Sequence, residues 1–153
     1  FVKNSALRCY WRNYRFFVPW VLDNNNVMKG MQYFSPYSRD LIDLMRENQQ
    51  SDGMIWSFVN SDDEDYHYYQ TAYSSINYFK KNNDIWFVRQ PVENHPEYNY
   101  VNMIYQHWKA SGDNSWMKLT LDCASRALDY SITDTVRWSN RFKLLKIKPI
   151  LVI

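Results

Sequence analysis

Two stretches in the second half of the chain carry apolar side chains at helical spacing. Tyr98, Val101, Ile104, Tyr105 and Trp108 recur at three- and four-residue steps, which puts them on one stripe of a helix. Trp116, Thr120, Cys123, Ala124, Ala127 and Leu128 form a second stripe of the same period. Pro96 suits a first helical turn, where its missing N–H is not needed. Asn94 or His95 then stands near the cap, and Glu97 lies close to the positive end of the dipole. Gly112 supplies the left-handed residue that ends a helix, and Asp113 or Asn114 caps the next. The pattern therefore predicts helices over 96–111 and 114–131. The short connection at Gly112-Asp113 makes them antiparallel neighbours.

The rest of the chain is patterned less regularly. Residues 1–20 are aromatic and basic, and read as a short helix or extended segment ending at Pro19. Asp23-Asn24-Asn25-Asn26 reads as a polar loop and helix start, with a helix over Val27 to Phe34. Tyr37, Leu41, Leu44 and Met45 continue a helical stripe to about Gln49. Ser51-Asp52-Gly53 is a turn, and Met54 to Val59 a short apolar strand or loop. Residues 66–90 mix eight aromatics with Ser, Thr and Asn and read as a long irregular excursion. Lys143 to Ile153 alternates basic and apolar residues and ends on Pro-Ile-Leu-Val-Ile, a segment that wants burial. The chain has 3 glycines, and each is expected to punctuate: Gly30, Gly53 and Gly112.

Composition narrows the function classes. A length of 153 residues suits one domain with a core. A formal charge of +2, evenly spread, is too mild for a nucleic-acid partner. No apolar run approaches the roughly 18 residues that span a bilayer. The chain begins with Phe1 and looks trimmed from something longer. Cys9 and Cys123 settle neither a disulfide nor a compartment. The anomaly is the aromatic share of 18%, with 7 Trp and 13 Tyr. Most such rings serve packing, but flat rings with wet polar tips also suit a sugar-binding cleft.

Candidate chemistry gathers at the mouth of the helical hairpin. Glu93, His95, Glu97 and Tyr98 stand within six residues. Glu97 has an alternative duty to the helix dipole; Glu93 has none visible in the sequence. The run Asn60-Ser61-Asp62-Asp63-Glu64-Asp65 could ligate calcium through oxygens, but it lacks the spacing of an EF-hand loop, and a solvated loop is favoured. There is no phosphate-binding glycine loop, no Gly-x-Ser-x-Gly elbow and no Cys-x-x-Cys. His67, His95 and His107 do not have metal-ligand spacing. No metal and no cofactor are expected.

Three segments carry a family resemblance. Asn48-Gln49-Gln50-Ser51-Asp52-Gly53-Met54-Ile55-Trp56 resembles the helix-end turn of six-hairpin glycosidases, the (α/α)6-toroid enzymes. Val92-Glu93-Asn94-His95-Pro96-Glu97-Tyr98, continued through Tyr105-x-x-Trp108-Lys109-Ala110-Ser111-Gly112-Asp113-x-x-Trp116-Met117, resembles another hairpin of that group. Val21-Leu22-Asp23 with Met28 to Phe34 is similar to an early inner segment, so the likeness covers most of residues 16–142. It implies an all-α fold, a partial toroid of antiparallel hairpins with long aromatic loops, forming one truncated domain over 1–153. A full toroid needs roughly 200 residues, so the chain would supply about its first half.

The same resemblance implies an inverting glycoside hydrolase acting on an oligo- or polysaccharide. Glu93 and Glu97 are then the catalytic candidates. Asp23, Trp56, Asp63, His95, Tyr98, Arg137 and Trp138 are the substrate-binding ones, with Trp56, Tyr98 and Trp138 as stacking rings. Trp56, Glu93, Glu97 and Tyr98 should line one concavity. The implied partner is a carbohydrate, with no nucleic acid and no membrane, and with self-association through exposed apolar helix faces. Two other readings stand beside this one: a non-catalytic glycan- or protein-binding helical module, and a terpenoid-cyclase-like toroid using Asp62-Asp63-Glu64-Asp65.

Overall fold

The computed structural model describes residues 20–34, 39–61, 78–83, 85–90, 93–134 and 138–146. In chain order the elements are α1 (Val21–Met31), α2 (Asp40–Glu47), β1 (Phe58–Ser61), β2 (Tyr78–Asn82), β3 (Ile85–Arg89), α3 (Pro96–Ser111), α4 (Asn114–Thr133), β4 (Trp138–Ser139) and β5 (Leu144–Leu145). The fold among the described residues is mixed α/β. The all-α partial toroid implied by the family resemblance is therefore incorrect. Two strands of a three-stranded antiparallel sheet, β2 and β3, stand where a long irregular excursion was expected over 66–90.

That sheet has the order β1-β3-β2. Phe58 pairs with Val88 and Ser61 with Ile85 on one side; Tyr78 pairs with Arg89 and Asn82 with Ile85 on the other. The chain reverses after β2 through Asn83, which adopts a left-handed φ of 56°, a conformation asparagine tolerates better than most residues. Ile85, Phe87, Val88 and Arg89 are all buried, so the central strand does not alternate. A strand covered on both faces reads as a continuous apolar run, and period-two patterning cannot reveal it.

The helical hairpin has the form its sequence predicts. Gly112 ends α3 at φ 67° and donates its N–H to the Trp108 carbonyl. Asp113 caps α4, its Oδ1 accepting from the Trp116 amide at 2.9 Å. His95 takes the N-cap position of α3 without a side-chain cap bond. The two stripes need correction in part. On α3 the buried face comprises Glu97, Asn99, Tyr100, Met103 and Ile104, whereas Tyr98 and Tyr105 point outward. On α4 Trp116, Thr120, Cys123, Ala124 and Ala127 are buried, but Leu128 is exposed.

The first helix begins six residues earlier than its pattern suggested. Asn24 and Asn25 lie buried on its inner face, not in a loop. The Val21 amide donates to the Ser57 carbonyl at 2.9 Å, which fastens the start of α1 to the strand edge. Gly30 lies within this helix instead of punctuating it.

The core runs between sheet and helices through Met28, Ile42, Met45, Ile55, Trp56, Phe87 and Met103. The turn over 51–53 docks on α4. Gly53 has φ +96°, and a Cβ there would stand 2.2 Å from the Arg126 carbonyl oxygen. The Gln49 side-chain amide donates to both the Gly53 and Cys123 carbonyls, at 2.9 and 3.0 Å. No helix among the described residues is long and apolar enough to cross a membrane.

Candidate functional site

The segment between β3 and α3 and the first turn of α3 hold the ionisable groups singled out in the sequence. Glu97 does not face solvent. Its Oε1 lies 3.0 Å from Arg89 Nη1, its Oε2 accepts from Arg89 Nη2 at 3.2 Å, and Oε1 also accepts from the Ile55 amide at 3.1 Å. Arg89 donates further to the carbonyls of Ile55 and Glu93, at 2.8 and 3.1 Å. Both residues are buried, so this is a two-pronged ion pair sealed inside the core. The carboxylate is committed to joining β3, the segment after Gly53 and the first turn of α3. It is a structural group, not an accessible acid.

Glu93 is placed differently. Its residue exposure is 8%, and its Oε1 lies 4.0 Å from Nε2 of His95, whose side chain is 38% exposed. His95 is held from behind by Asn99, with Nδ2 3.2 Å from the imidazole Nδ1. Asn94, between them, donates its side-chain amide to the Lys146 carbonyl. That contact brings the end of the β4–β5 hairpin, which also carries Trp138, to the mouth of α3.

Along α3 from this mouth runs an exposed aromatic row. Tyr98 is 63% exposed and Tyr105 50%. Seven residues separate them, so they share a face about 10.5 Å apart along the axis. Tyr105 contacts Trp108 at a ring-centroid distance of 6.2 Å, and Lys109 Nζ lies 6.0 Å from the Tyr105 centroid. Asn102 stands between the two tyrosines, its side-chain amide turned inward to Asn25 Oδ1 at 2.8 Å. Tyr105 was grouped with the apolar stripe in the sequence. Its seven-residue step from Tyr98 puts both on one side of the helix, but only the packing shows that this side faces outward.

The remaining candidates are dispersed. Trp56 is fully buried and donates Nε1 to the Asn48 carbonyl at 2.7 Å, so its ring is a core element and offers no stacking surface. Asp23 is exposed on α1. Trp138 is half-buried on β4. Asp63 and Arg137 lie outside the described residues. Trp56, Glu97 and Tyr98 thus do not line one concavity with Glu93: the first two are sealed inside, whereas Tyr98 is exposed on the surface.

Other titratable groups serve the scaffold. Burial pushes the Cys123 thiol up, and its Sγ lies 3.5 Å from the Tyr100 hydroxyl. Burial raises Tyr100 as well, and its hydroxyl donates to the Ile42 carbonyl at 3.1 Å. A thiol held neutral in this way is a poor nucleophile. His107 is lowered by burial and then by Arg39; it stacks edge-on against Trp116 at 4.7 Å. No cluster of three or more His, Cys, Asp or Glu among the described residues could hold a metal ion.

The arrangement defines a mixed α/β domain with one carboxylate–imidazole pair at a helix mouth and an aromatic row leading away from it. No protein-family model, curated protein or solved structure matches the chain.

Proposed function

We propose that this chain is a carbohydrate-recognising domain of a glycoside hydrolase, in which an oligosaccharide lies along the outer face of α3 with Glu93 at its head. The observation that carries the reading is the row of Tyr98 and Tyr105, two exposed rings on one face of the helix whose mouth holds the largely buried Glu93 carboxylate. Aromatic faces cover the C–H surface of a pyranose, while hydroxyl and amide groups around them take the sugar hydroxyls. The axial separation of the two rings is comparable to the length of a disaccharide.

In this reading Glu93 is the proton donor to the glycosidic oxygen, and Glu97 takes no part in chemistry. Inversion requires a second carboxyl group about 6.5–9.5 Å away across the scissile bond. With Glu97 committed to Arg89, the chain is expected to bind sugar well and turn it over poorly. The experiment is calorimetric titration of the 153-residue chain with a panel of neutral oligosaccharides, with reducing ends assayed in parallel. Saturable binding with slow or no hydrolysis supports the reading. Absence of binding across the panel contradicts it.

Self-association is a second reading, favoured by the row of Leu121, Leu128 and Ile132. These side chains remain 47–56% exposed along one side of α4. Exposed apolar rows of this kind mark contact surfaces. Sedimentation equilibrium tests it: a dimer that Leu128→Lys dissociates is the supporting result, and a monomer at all concentrations the opposing one.

A further inference from the structure

Behind His95 stands a ladder of side-chain amides that the proposed chemistry does not use. We propose that Asn25 and Asn99 are positioning residues that fix the tautomer of His95, so that its Nε2–H is directed at Glu93. The functional weight of the inference rests on reading Glu93 as the working carboxylate.

Direction runs through the ladder one group at a time. Asn102 Nδ2 and Gln106 Nε2 both donate to Asn25 Oδ1, at 2.8 and 3.4 Å. With its oxygen so engaged, Asn25 turns its NH2 the other way and donates to Asn99 Oδ1 at 2.9 Å. That bond in turn presents the Asn99 NH2 to His95 Nδ1, at 3.2 Å. A donor facing Nδ1 makes that nitrogen the acceptor, and a neutral imidazole then carries its proton on Nε2. Nε2 is the atom that lies 4.0 Å from Glu93 Oε1.

Burial makes the ladder decisive. Asn25 and Asn99 are 4% and 3% exposed, so water does not compete for their amides, and reversing either one would oppose donor to donor. The arrangement has a chemical consequence at the carboxylate. Glu93 Oε1 faces an imidazole N–H and not a ring lone pair, across 4.0 Å. The ladder spans α1 and α3, and it thereby links the packing of those helices to the state of the mouth.

The test is long-range 15N–1H correlation of the histidine rings at a pH where His95 is neutral, with its signals assigned by their loss in His95→Gln. The wild-type chain is expected to show the pyridine-type nitrogen at Nδ1 and the pyrrole-type nitrogen at Nε2. Asn99→Asp, which offers an acceptor in place of a donor, should shift the ring to the Nδ1–H form. Asn25→Ala should give averaged nitrogen shifts, with a dispersed amide spectrum as evidence of folding. An Nδ1–H tautomer in the wild type would overturn the proposal, as would folded variants whose ring pattern is unchanged. If neither variant folds, the wild-type pattern alone decides. Oligosaccharide titration is a separate readout: a fixed Nε2–H tautomer without sugar binding would leave the positioning role standing and remove the carbohydrate reading.

Discussion

Glu97 and Arg89 meet face to face inside the core, with oxygen-to-nitrogen distances of 3.0 and 3.2 Å and both side chains almost wholly shielded from water. The pair joins the last residue of the central strand to the first turn of the longer hairpin's leading helix. The Arg89 Nη1 and Nη2 groups also reach the Ile55 and Glu93 carbonyls, so the guanidinium fixes the backbone of the residue we propose as the acid, while the buried Arg89 Nε has no hydrogen-bond partner among the described residues. Shielded charge is costly unless it is paired and hydrogen-bonded, and both oxygens of Glu97 and both Nη groups of Arg89 meet that condition.

Breaking the pair on one side should therefore be severe. Arg89→Met leaves a sealed carboxylate without its cation and is expected to destabilise the fold by about 3–5 kcal/mol. The double change Arg89→Met with Glu97→Leu should recover much of that loss. Urea denaturation of the two variants checks this. A double variant no more stable than Arg89→Met would contradict this expectation.

Gly53 offers a second test of the packing. Its φ of +96° and the 2.2 Å approach to the Arg126 carbonyl leave no room for a methyl group. Gly53→Ala is expected to cost more than about 2 kcal/mol, combining backbone strain with displacement of the turn from α4. Gly112→Ala meets no neighbouring atom and bears only the left-handed strain, so it should be the milder change. Thermal unfolding of the two variants side by side gives the ranking, and the reverse order would contradict the docking described for residues 51–53.

The ease of reading differed between elements for physical reasons. The α3–α4 hairpin was legible because Pro96, Gly112 and Asp113 each perform a local task at a helix end. The central strand was not, because Ile85, Phe87, Val88 and Arg89 are buried and Trp86 is partly so, which leaves no alternation to read. Asn24 and Asn25 looked like loop residues because polarity normally signals solvent. They are buried because Trp20, Asn99, Asn102 and Gln106 pair their amides. Trp56 looked like a stacking ring, yet its distant partner, the Asn48 carbonyl, holds it in the core. The mouth of α3 was located correctly, but only the fold could separate Glu93 from Glu97. The guanidinium that claims Glu97 sits eight residues upstream on a strand the sequence did not reveal.

His107 sets a pH dependence whose sign is fixed by its surroundings. Burial, followed by Arg39, lowers its proton affinity in the folded state, against smaller opposing effects of Asp43 and Asp113. The unfolded chain then binds the proton more readily. Stability from this group is present above the ordinary histidine value near 6.5 and declines as pH falls through the lower folded value. His107→Gln should flatten the stability profile just below pH ~6.5. Urea midpoints across that interval, measured for both proteins, check the sign. A wild-type midpoint that rose on acidification, with the change abolished in His107→Gln, would show it reversed.

The most direct measurement of the central claim is calorimetric titration of oligosaccharide into the wild-type chain and into Tyr98→Ala, Tyr105→Ala and Glu93→Gln. Both tyrosines are exposed, so truncating either should leave the fold intact. Loss of a stacking ring at roughly 1–2 kcal/mol corresponds to a weakening of about tenfold for each variant. Glu93→Gln should retain binding while removing any residual hydrolysis. If the wild type binds and both tyrosine variants bind equally well, the outer face of α3 is not the sugar platform and the account is contradicted.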